Sequence, residues 1–242
     1  MLNQIKKAIP NTLTCLNLFS GCLACLYALG GWFGVTLIFI IMSAVFDFFD
    51  GMSARALGVS SPIGKELDSL ADDISFGLVP SMIVLSLLTH ASNGMVYWPD
   101  FLQPAKSILP YAAFLIAVFS ALRLAKFNID PRQAHSFIGL PTPANTLFWI
   151  SFALGYPNLI GPINVLVLIA MILLSSWLLV AEVPMFSLKF ENLKWNENKL
   201  RYLFLIVCIP LFFLGKICLA AIILWYIILS IANNMKSSNK QD

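Results

Sequence analysis

Long apolar runs constrain the fold of this chain more than any other feature. They fill most of its 242 residues and are separated by short segments containing glycine, proline and charge. A helix that spans a bilayer needs about 20 apolar residues. The runs therefore predict an all-α fold, a polytopic membrane bundle in a single domain (1–242), with eight helical segments at 12–30, 33–57, 64–89, 107–127, 143–157, 161–181, 201–214 and 216–234.

The composition excludes several classes of protein. Hydrophobic residues make up 59% of the chain and charged residues 11%, whereas an ordinary soluble domain has about 25% charged residues. This balance excludes a soluble globular enzyme, a disordered tail and a protein that binds nucleic acid through its phosphates.

The basic residues predict the orientation in the membrane. As one helix, residues 201–234 would be about 50 Å long, so we expect a turn at Gly215-Lys216 that divides them into two spans. All 15 Lys and Arg residues except Lys106 and Lys216 then fall on one side. By the positive-inside rule both termini are cytoplasmic. The small size and the absence of targeting tails favour a bacterial inner membrane.

Four aspartates interrupt the apolar pattern where two of the predicted helices meet. Asp47 and Asp50 lie near the end of the second segment, and Asp68 and Asp72 lie near the start of the third. At about 100° per residue, each pair shares one face of its helix. The connection between the helices is short, so we expect antiparallel neighbours whose acidic faces meet. Asp73 points elsewhere and is expected to have a supporting structural role.

These carboxylates need a counter-charge. An ionised carboxylate inside a bilayer costs at least about 2.5–3.5 kcal/mol, and four close together also repel one another. Ligation by oxygen alone, without clustered His or Cys, suits Mg²⁺, Mn²⁺ or Ca²⁺. The alternative is that the acids cap helices or pair with Arg55 and Lys65.

The residues beside the acids favour a site for phosphate. Gly51 and Ala54 leave room for a ligand, and Arg55 can bind a phosphate through two hydrogen bonds. Cations, an arginine and an open floor together are typical of phosphoryl or pyrophosphoryl transfer. At the membrane edge, such a site admits a soluble nucleotide head while acyl chains stay in lipid.

The same segment resembles the signature of the CDP-alcohol phosphotransferase family, DxxDGxxAR, eight residues, then GxxxDxxxD. The matching residues are Asp47, Asp50, Gly51, Ala54, Arg55, Gly64, Asp68 and Asp72. The resemblance implies that a phosphatidyl group passes from a CDP-linked lipid to an alcohol with release of CMP. It also implies a six-helix catalytic core, here about 1–181, extended by two spans at about 201–234.

A narrower resemblance lies outside the signature. The segments 10–21 (PNTLTCLNLFSG), 72–77 (DDISFG), 123–128 (RLAKFN), 137–143 (FIGLPTP) and 183–189 (VPMFSLK) resemble those of phosphatidylserine synthases. This resemblance implies that the substrates are CDP-diacylglycerol and L-serine.

The family resemblance also implies roles for individual residues. Asp47, Asp50 and Asp68 would hold one divalent cation, and Asp68 with Asp72 a second. Asp72 would also be the general base. Contacts with the donor substrate would come from Asn11, Thr14, Asp50, Gly51, Ala54, Arg55 and Ser61.

The acceptor and the order of bond changes are predicted from chemistry. Arg123 and Lys126 lie on the same side as the acids and could hold the serine carboxylate. Membrane anchoring explains Lys126 equally well. No Ser/His or Cys/His dyad suggests a covalent intermediate, so we expect direct displacement.

Three alternatives stay open at this point. The acceptor could instead be glycerol 3-phosphate or inositol phosphate. A cation-coupled transporter would also place acids within the membrane. The small residues Gly21, Ala24 and Ala28 could pack helices within one chain or between two chains of a homodimer.

Overall fold

A computed structural model describes residues 2–89, 96–130, 132, 137–159, 162–186, 188 and 194–238. Within these residues the chain is almost entirely helical. The α-helices are α1 (Leu2–Leu29), α2 (Phe33–Ala56), α3 (Pro62–Asp72), α4 (Val79–Thr89), α5 (Phe114–Ile129), α6 (Thr142–Leu159), α7 (Val165–Val180), α8 (Trp195–Phe212) and α9 (Cys218–Ser238). Four two-residue strands pair β1 (Val96–Tyr97) with β3 (Ile163–Asn164) in parallel and β2 (Phe137–Ile138) with β4 (Pro184–Met185) in antiparallel.

The predicted helical segments correspond to these helices, although α1 begins at Leu2 instead of residue 12 and α8 begins at Trp195 instead of residue 201. Irregular helical turns are a further difference. A π-helical segment, Asp73–Leu78, joins α3 to α4 within one continuous helix. Two 3₁₀ helices, Asp100–Ser107 and Leu109–Ala113, precede α5. The predicted break in the last apolar stretch is confirmed, since Gly215 adopts a φ of +67° between α8 and α9.

Five helical stretches are long and apolar enough to cross a membrane: Lys6–Leu29, Phe33–Ala56, Pro62–Thr89, Leu109–Ile129 and Gly215–Met235. The shorter α7 is also apolar. Large apolar side chains on these helices are more than half exposed, including Phe19, Leu26, Ile38, Val118, Leu174, Trp177 and Ile228. An apolar exterior of this kind requires a lipid environment, so the chain is an integral membrane protein. Two of the basic residues used to predict orientation, Lys189 and Lys240, lie outside the described residues.

The main core lies where α1, α4, α6 and α7 meet. Its largest fully buried side chains include Trp149 and Tyr156 of α6. Ala24 and Ala28 of α1 are fully buried in this core, and Gly21 lies against Ser75. The small-residue face of α1 therefore packs helices within one chain.

Hydrogen bonds from α6 hold the start of the C-terminal helix α9. The Ser151 hydroxyl donates to the carbonyl of Lys216 (2.8 Å) and accepts from the amide of Ala220 (3.0 Å). One turn later, a Cβ added at Gly155 would lie 2.6 Å from Cβ of Ile217 and 2.7 Å from its backbone nitrogen. This close approach requires a residue without a side chain.

Gly155→Ala is therefore expected to destabilise the fold by about 1–3 kcal/mol, because the added methyl overpacks the contact with Ile217. Thermal unfolding of the detergent-solubilised protein measures the effect. Gly34→Ala is the matched control, since a Cβ at Gly34 meets nothing within 4 Å. Equal melting temperatures for the two variants would contradict the packing described here.

Candidate active site

Helix α1 organises the site by packing against both acidic helices. The sequence predicted α2 and α3 as neighbours with facing acids. In the structure each of them packs on α1, which brings its own polar side chains up to the acids. Three helices therefore build the site.

The carboxylates of α2 and α3 come together as predicted. Asp47, Asp50 and Asp68 each place a carboxylate oxygen within 4.8 Å of the others. Asp72 follows Asp68 by four residues on the same face of α3 and lines a cavity together with it. Asp50 is buried, with 6% of its surface exposed. The two pairs of acids thus form one cluster, called here the carboxylate cluster.

Two side chains of α1 orient members of this cluster. The Thr14 hydroxyl donates to Oδ2 of Asp50 at 2.6 Å, which agrees with its expected place in the site. The amide nitrogen of Asn17 donates to Oδ1 of Asp72 at 3.2 Å. Ser75 donates to Oδ1 of Asn17 at 2.8 Å and so fixes which end of the amide faces Asp72. Asn17 was not among the predicted site residues, although its spacing of three from Thr14 puts both on one helix face.

No lysine or arginine of the described residues forms an ion pair with the carboxylate cluster. The ion pairs found in this part of the chain are those of Arg132 with Asp130 and Glu182. Lys65 instead donates to the carbonyl of Asn128. Oδ1 of Asp68 is buried without a hydrogen-bond partner. Convergent oxygen ligands, one of them unsatisfied, fit a divalent cation, and the cluster could hold one.

The π-helical segment separates Asp73 from the cluster. Oδ1 of Asp73 is buried without a hydrogen-bond partner, and a Cβ at Gly77 would lie 2.6 Å from it. Asp73 thus faces the turn that follows rather than the other acids. The same segment supplies Ser75, which holds Asn17. Within this irregular segment, Asp73 lies against Gly77 and Ser75 contacts Asn17 of α1. Such π-helical turns often occur at functional sites.

One cavity opens beside the cluster, with a volume of about 250 Å³. Asp50 and Asp68 form part of its wall. Six of the residues expected to contact the donor line it: Asn11, Thr14, Asp50, Gly51, Ala54 and Ser61. Two basic residues, Lys7 and Lys65, which were not predicted to contact the donor, also line it. We call it the donor cavity.

Ser61 has a structural role at the mouth of the donor cavity. Its hydroxyl oxygen accepts from the amide of Gly64 at 3.0 Å and caps the amino end of α3. Ser61 and Gly64 both line the cavity, so the amino end of α3, which favours a negative charge, forms part of its wall.

Arg55 differs from its expected position. It is exposed and does not line the donor cavity. Its guanidinium folds over α2, so that a Cβ at Gly51 would lie 3.3 Å from Nη1 of Arg55. The side chain lies next to the cavity floor without forming part of it.

A second cavity, of about 210 Å³, lies further along α3, where α3 meets α5 and the start of α6. Asp68 and Asp72 form its wall together with Arg123, Ser69, Asn128 and Thr142. Asp68 is common to both cavities, so the carboxylate cluster lies between them. We call this one the acceptor cavity.

Arg123 is the buried cation of the acceptor cavity. It is 5% exposed, its Nε has no hydrogen-bond partner, and its guanidinium carbon lies 5.7 Å from the centre of the Phe127 ring. Lys126 is exposed and lines a neighbouring cavity that also reaches Arg123. Arg123 alone of the two thus shares a cavity with the acids.

Comparison with known proteins assigns the family. The sequence profile of the CDP-alcohol phosphatidyltransferase family matches residues 7–232 of this chain. The chain is 35% identical over 139 residues to a CDP-diacylglycerol–serine O-phosphatidyltransferase of Bacillus subtilis, covering 56% of this chain and 69% of that protein. An enzyme of the same name from Helicobacter pylori is 31% identical over 192 residues, 77% of this chain and 74% of that protein.

An archaeal relative extends this group. The archaetidylserine synthase of Methanothermobacter thermautotrophicus is 30% identical over 172 residues, 70% of this chain and 68% of that protein. The family match covers nearly the whole chain and includes every residue of the carboxylate cluster. The chain therefore belongs to the CDP-alcohol phosphatidyltransferase family.

Proposed function

We propose that this protein is a phosphatidylserine synthase, which transfers the phosphatidyl group of CDP-diacylglycerol to the hydroxyl of L-serine and releases CMP. The proposal rests on one observation above all: the carboxylate cluster separates two cavities of different character. The relatives named CDP-diacylglycerol–serine O-phosphatidyltransferase support the same substrates.

The donor cavity suits the CDP end of the lipid. Its wall combines the amino end of α3 with Lys7 and Lys65, and all three favour a pyrophosphate. The neighbouring α2 has an apolar, exposed outer face, so acyl chains can remain in lipid while the nucleotide enters the cavity. Asn11, Thr14, Gly51, Ala54 and Ser61 would contact this head group, and Arg55 would reach it from the adjacent surface.

The acceptor cavity suits a small anionic alcohol. Its buried cation is Arg123, which is 5% exposed, and it has a volume of about 210 Å³. Arg123 offers the serine carboxylate a desolvated guanidinium, which makes stronger hydrogen bonds than an exposed one. Lys126 would assist from the neighbouring cavity. Acceptors that bear a phosphate would need more cations than this cavity provides.

We assign to Asp72 the role of receiving the proton of the acceptor hydroxyl. It lines the acceptor cavity, and the Asn17 side-chain amide donates to its Oδ1. The other oxygen of Asp72 would accept the proton as the hydroxyl attacks phosphorus and the phosphorus–oxygen bond to CMP breaks. Direct displacement needs no covalent enzyme intermediate.

Divalent cations complete the proposed site. Asp47, Asp50 and Asp68 would hold one ion, and Asp68 with Asp72 a second, with Mg²⁺ or Mn²⁺ favoured and Ca²⁺ a further candidate. Bound there, they would neutralise the pyrophosphate and the charge on the departing CMP. Asp68 would be shared by the two ions, because both substrates would meet at this one cluster.

The proposed setting is a bacterial inner membrane with the site and both termini cytoplasmic, as the basic residues predict. The proposed unit is one membrane domain, with a catalytic core at about 1–181 and further spans at about 201–234. A homodimer stays a prediction. The small-residue face of α1 is buried within the chain and would not form the interface between two copies.

Purified protein with CDP-diacylglycerol is expected to release CMP and form phosphatidylserine with L-serine, and not with glycerol 3-phosphate or inositol phosphate. EDTA should abolish the reaction, and added Mg²⁺ or Mn²⁺ should restore it. Chromatography of CMP and of the lipid product measures both. Turnover with a phosphorylated acceptor alone, or ion flux into vesicles without CMP release, would contradict the proposal.

Asp72→Asn is expected to lower kcat by about 10²–10⁴-fold, because the amide cannot accept the hydroxyl proton. Binding of CDP-diacylglycerol, measured by titration calorimetry in micelles, should persist, since three cluster acids remain. Asp73→Asn is the matched control: it changes an adjacent buried acid outside the cluster and should keep most activity. Near-normal turnover by Asp72→Asn would refute its role as the base.

Arg123→Ala is expected to raise the KM for serine on the order of 10–100-fold, because the variant loses a hydrogen bond to a charged group. The KM for CDP-diacylglycerol should change far less. Arg132→Ala provides the control, because that arginine is exposed and bound to Asp130 at 2.8 Å. An unchanged KM for serine in Arg123→Ala would remove this residue from the acceptor site.

A further inference from the structure

Asn17 is a buried polar residue of α1 at the point where three other elements meet. It is fully buried and contacts Ser43 of α2, Asp72 of α3 and Ser75 of the π-helical segment. Burying a polar group costs free energy unless the group is hydrogen-bonded, so the partners of Asn17 indicate its role. Asn17 lines neither the donor cavity nor the acceptor cavity. It therefore acts through a neighbouring side chain and not on a substrate.

The two ends of the Asn17 amide bind two different partners. Its Nδ2 donates to a carboxylate oxygen of Asp72 at 3.2 Å, and its Oδ1 accepts from the Ser75 hydroxyl at 2.8 Å. The opposite orientation would set the amide oxygen of Asn17 against the carboxylate oxygen, with no proton between the two acceptors. The amide thus presents its donor end to Asp72.

Two serines hold Asn17 in different ways. The Ser43 hydroxyl donates to the backbone carbonyl of Asn17 at 3.2 Å. The Ser75 hydroxyl lies 3.2 Å from the same backbone oxygen and also reaches the side-chain oxygen. Both serines are buried, with 0% of Ser43 and 1% of Ser75 exposed. The bond from Ser43 positions the main chain, whereas the bond from Ser75 also orients the amide.

Gly21 allows the π-helical segment to approach α1 closely enough for this contact. Gly21 follows Asn17 by four residues and lies on the same face of α1. A Cβ at Gly21 would overlap Oγ of Ser75 and lie 3.0 Å from its Cα. Because Cα belongs to the backbone, a rotation of the Ser75 side chain could not relieve that contact. A larger residue at this position would push Ser75 away from Asn17.

We propose that Asn17 is a positioning residue, whose amide fixes the Asp72 carboxylate for cation binding and catalysis while Ser75 keeps the amide in the required orientation. This inference rests on the role proposed for Asp72 and deepens it. Groups that hydrogen-bond to a metal-ligating side chain hold that ligand in place, and their removal typically costs about 10–100-fold in metal affinity or activity. Asn17 stands in this relation to Asp72.

The test combines a binding measurement with kinetics. Calorimetry measures Mn²⁺ binding to the metal-free, detergent-solubilised protein without substrate, and CMP release gives kcat and the KM for serine and for CDP-diacylglycerol. The variants are Asn17→Ala, Ser75→Ala and the double variant. Ser43→Ala is the matched control, because it also removes a buried hydroxyl next to Asn17 but leaves the amide bound to Ser75 and Asp72. Thermal unfolding is measured for every variant.

In Asn17→Ala we expect Mn²⁺ affinity and kcat each to fall on the order of 10–100-fold, with little change in either KM. Ser75→Ala should show a smaller loss in the same two quantities. The double variant should match Asn17→Ala alone, because a residue that acts through the amide has no further effect once the amide is gone. Ser43→Ala should keep the Mn²⁺ affinity and kcat of the wild-type protein.

Wild-type Mn²⁺ affinity and kcat in Asn17→Ala would overturn the inference. Additive losses in the double variant would overturn it too, since they mean that Ser75 acts independently of Asn17. Where Asn17→Ala does not fold, Ser75→Ala and Ser43→Ala decide, and equal losses in both would reduce Asn17 to a packing role. Failure of the proposed function gives a different result: wild-type protein would release no CMP with serine, while the variants would still differ in Mn²⁺ binding.

Discussion

Mutual repulsion of four carboxylates in a membrane bundle is the constraint on which the rest of this structure depends. Asp47, Asp50 and Asp68 lie within 4.8 Å of one another, and no basic side chain of the described chain pairs with them. In a medium of low dielectric, uncompensated charges at this distance strongly destabilise a fold. A cation bound there would remove that cost and would also provide a positive charge to bind a pyrophosphate. The same interaction would then stabilise the fold and support the reaction.

The surrounding helices can be understood as a support for this cluster. Helix α1 lies against both acidic helices and supplies Thr14 and Asn17, whose donors bind two of the carboxylates. The π-helical turn then returns Ser75 to Asn17. Because two cavities follow one another along α3 and share Asp68, a lipid-linked nucleotide and a small polar acceptor could approach the cluster from different cavities.

Much of the fold and the centre of the site could be predicted from the sequence, for physical reasons. Apolar runs fix the helices, and the spacing of Asp47 with Asp50 and of Asp68 with Asp72 fixes their shared faces. The resemblance implied that Asn11 and Thr14 of α1 belong to the site, but the contact of Asn17 with Asp72 could not be predicted, because Asn17 is isolated within an apolar run and periodicity does not identify its partner.

Direct measurement of cation binding tests the central claim. Calorimetric titration of Mn²⁺ into the metal-free, detergent-solubilised protein, without any substrate, should show saturable binding. The variant with all four cluster aspartates changed to asparagine should lose that binding and remain folded, since the repulsion is removed with the charge. Absence of saturable binding to the wild-type protein, or equal binding by the variant, would contradict the account.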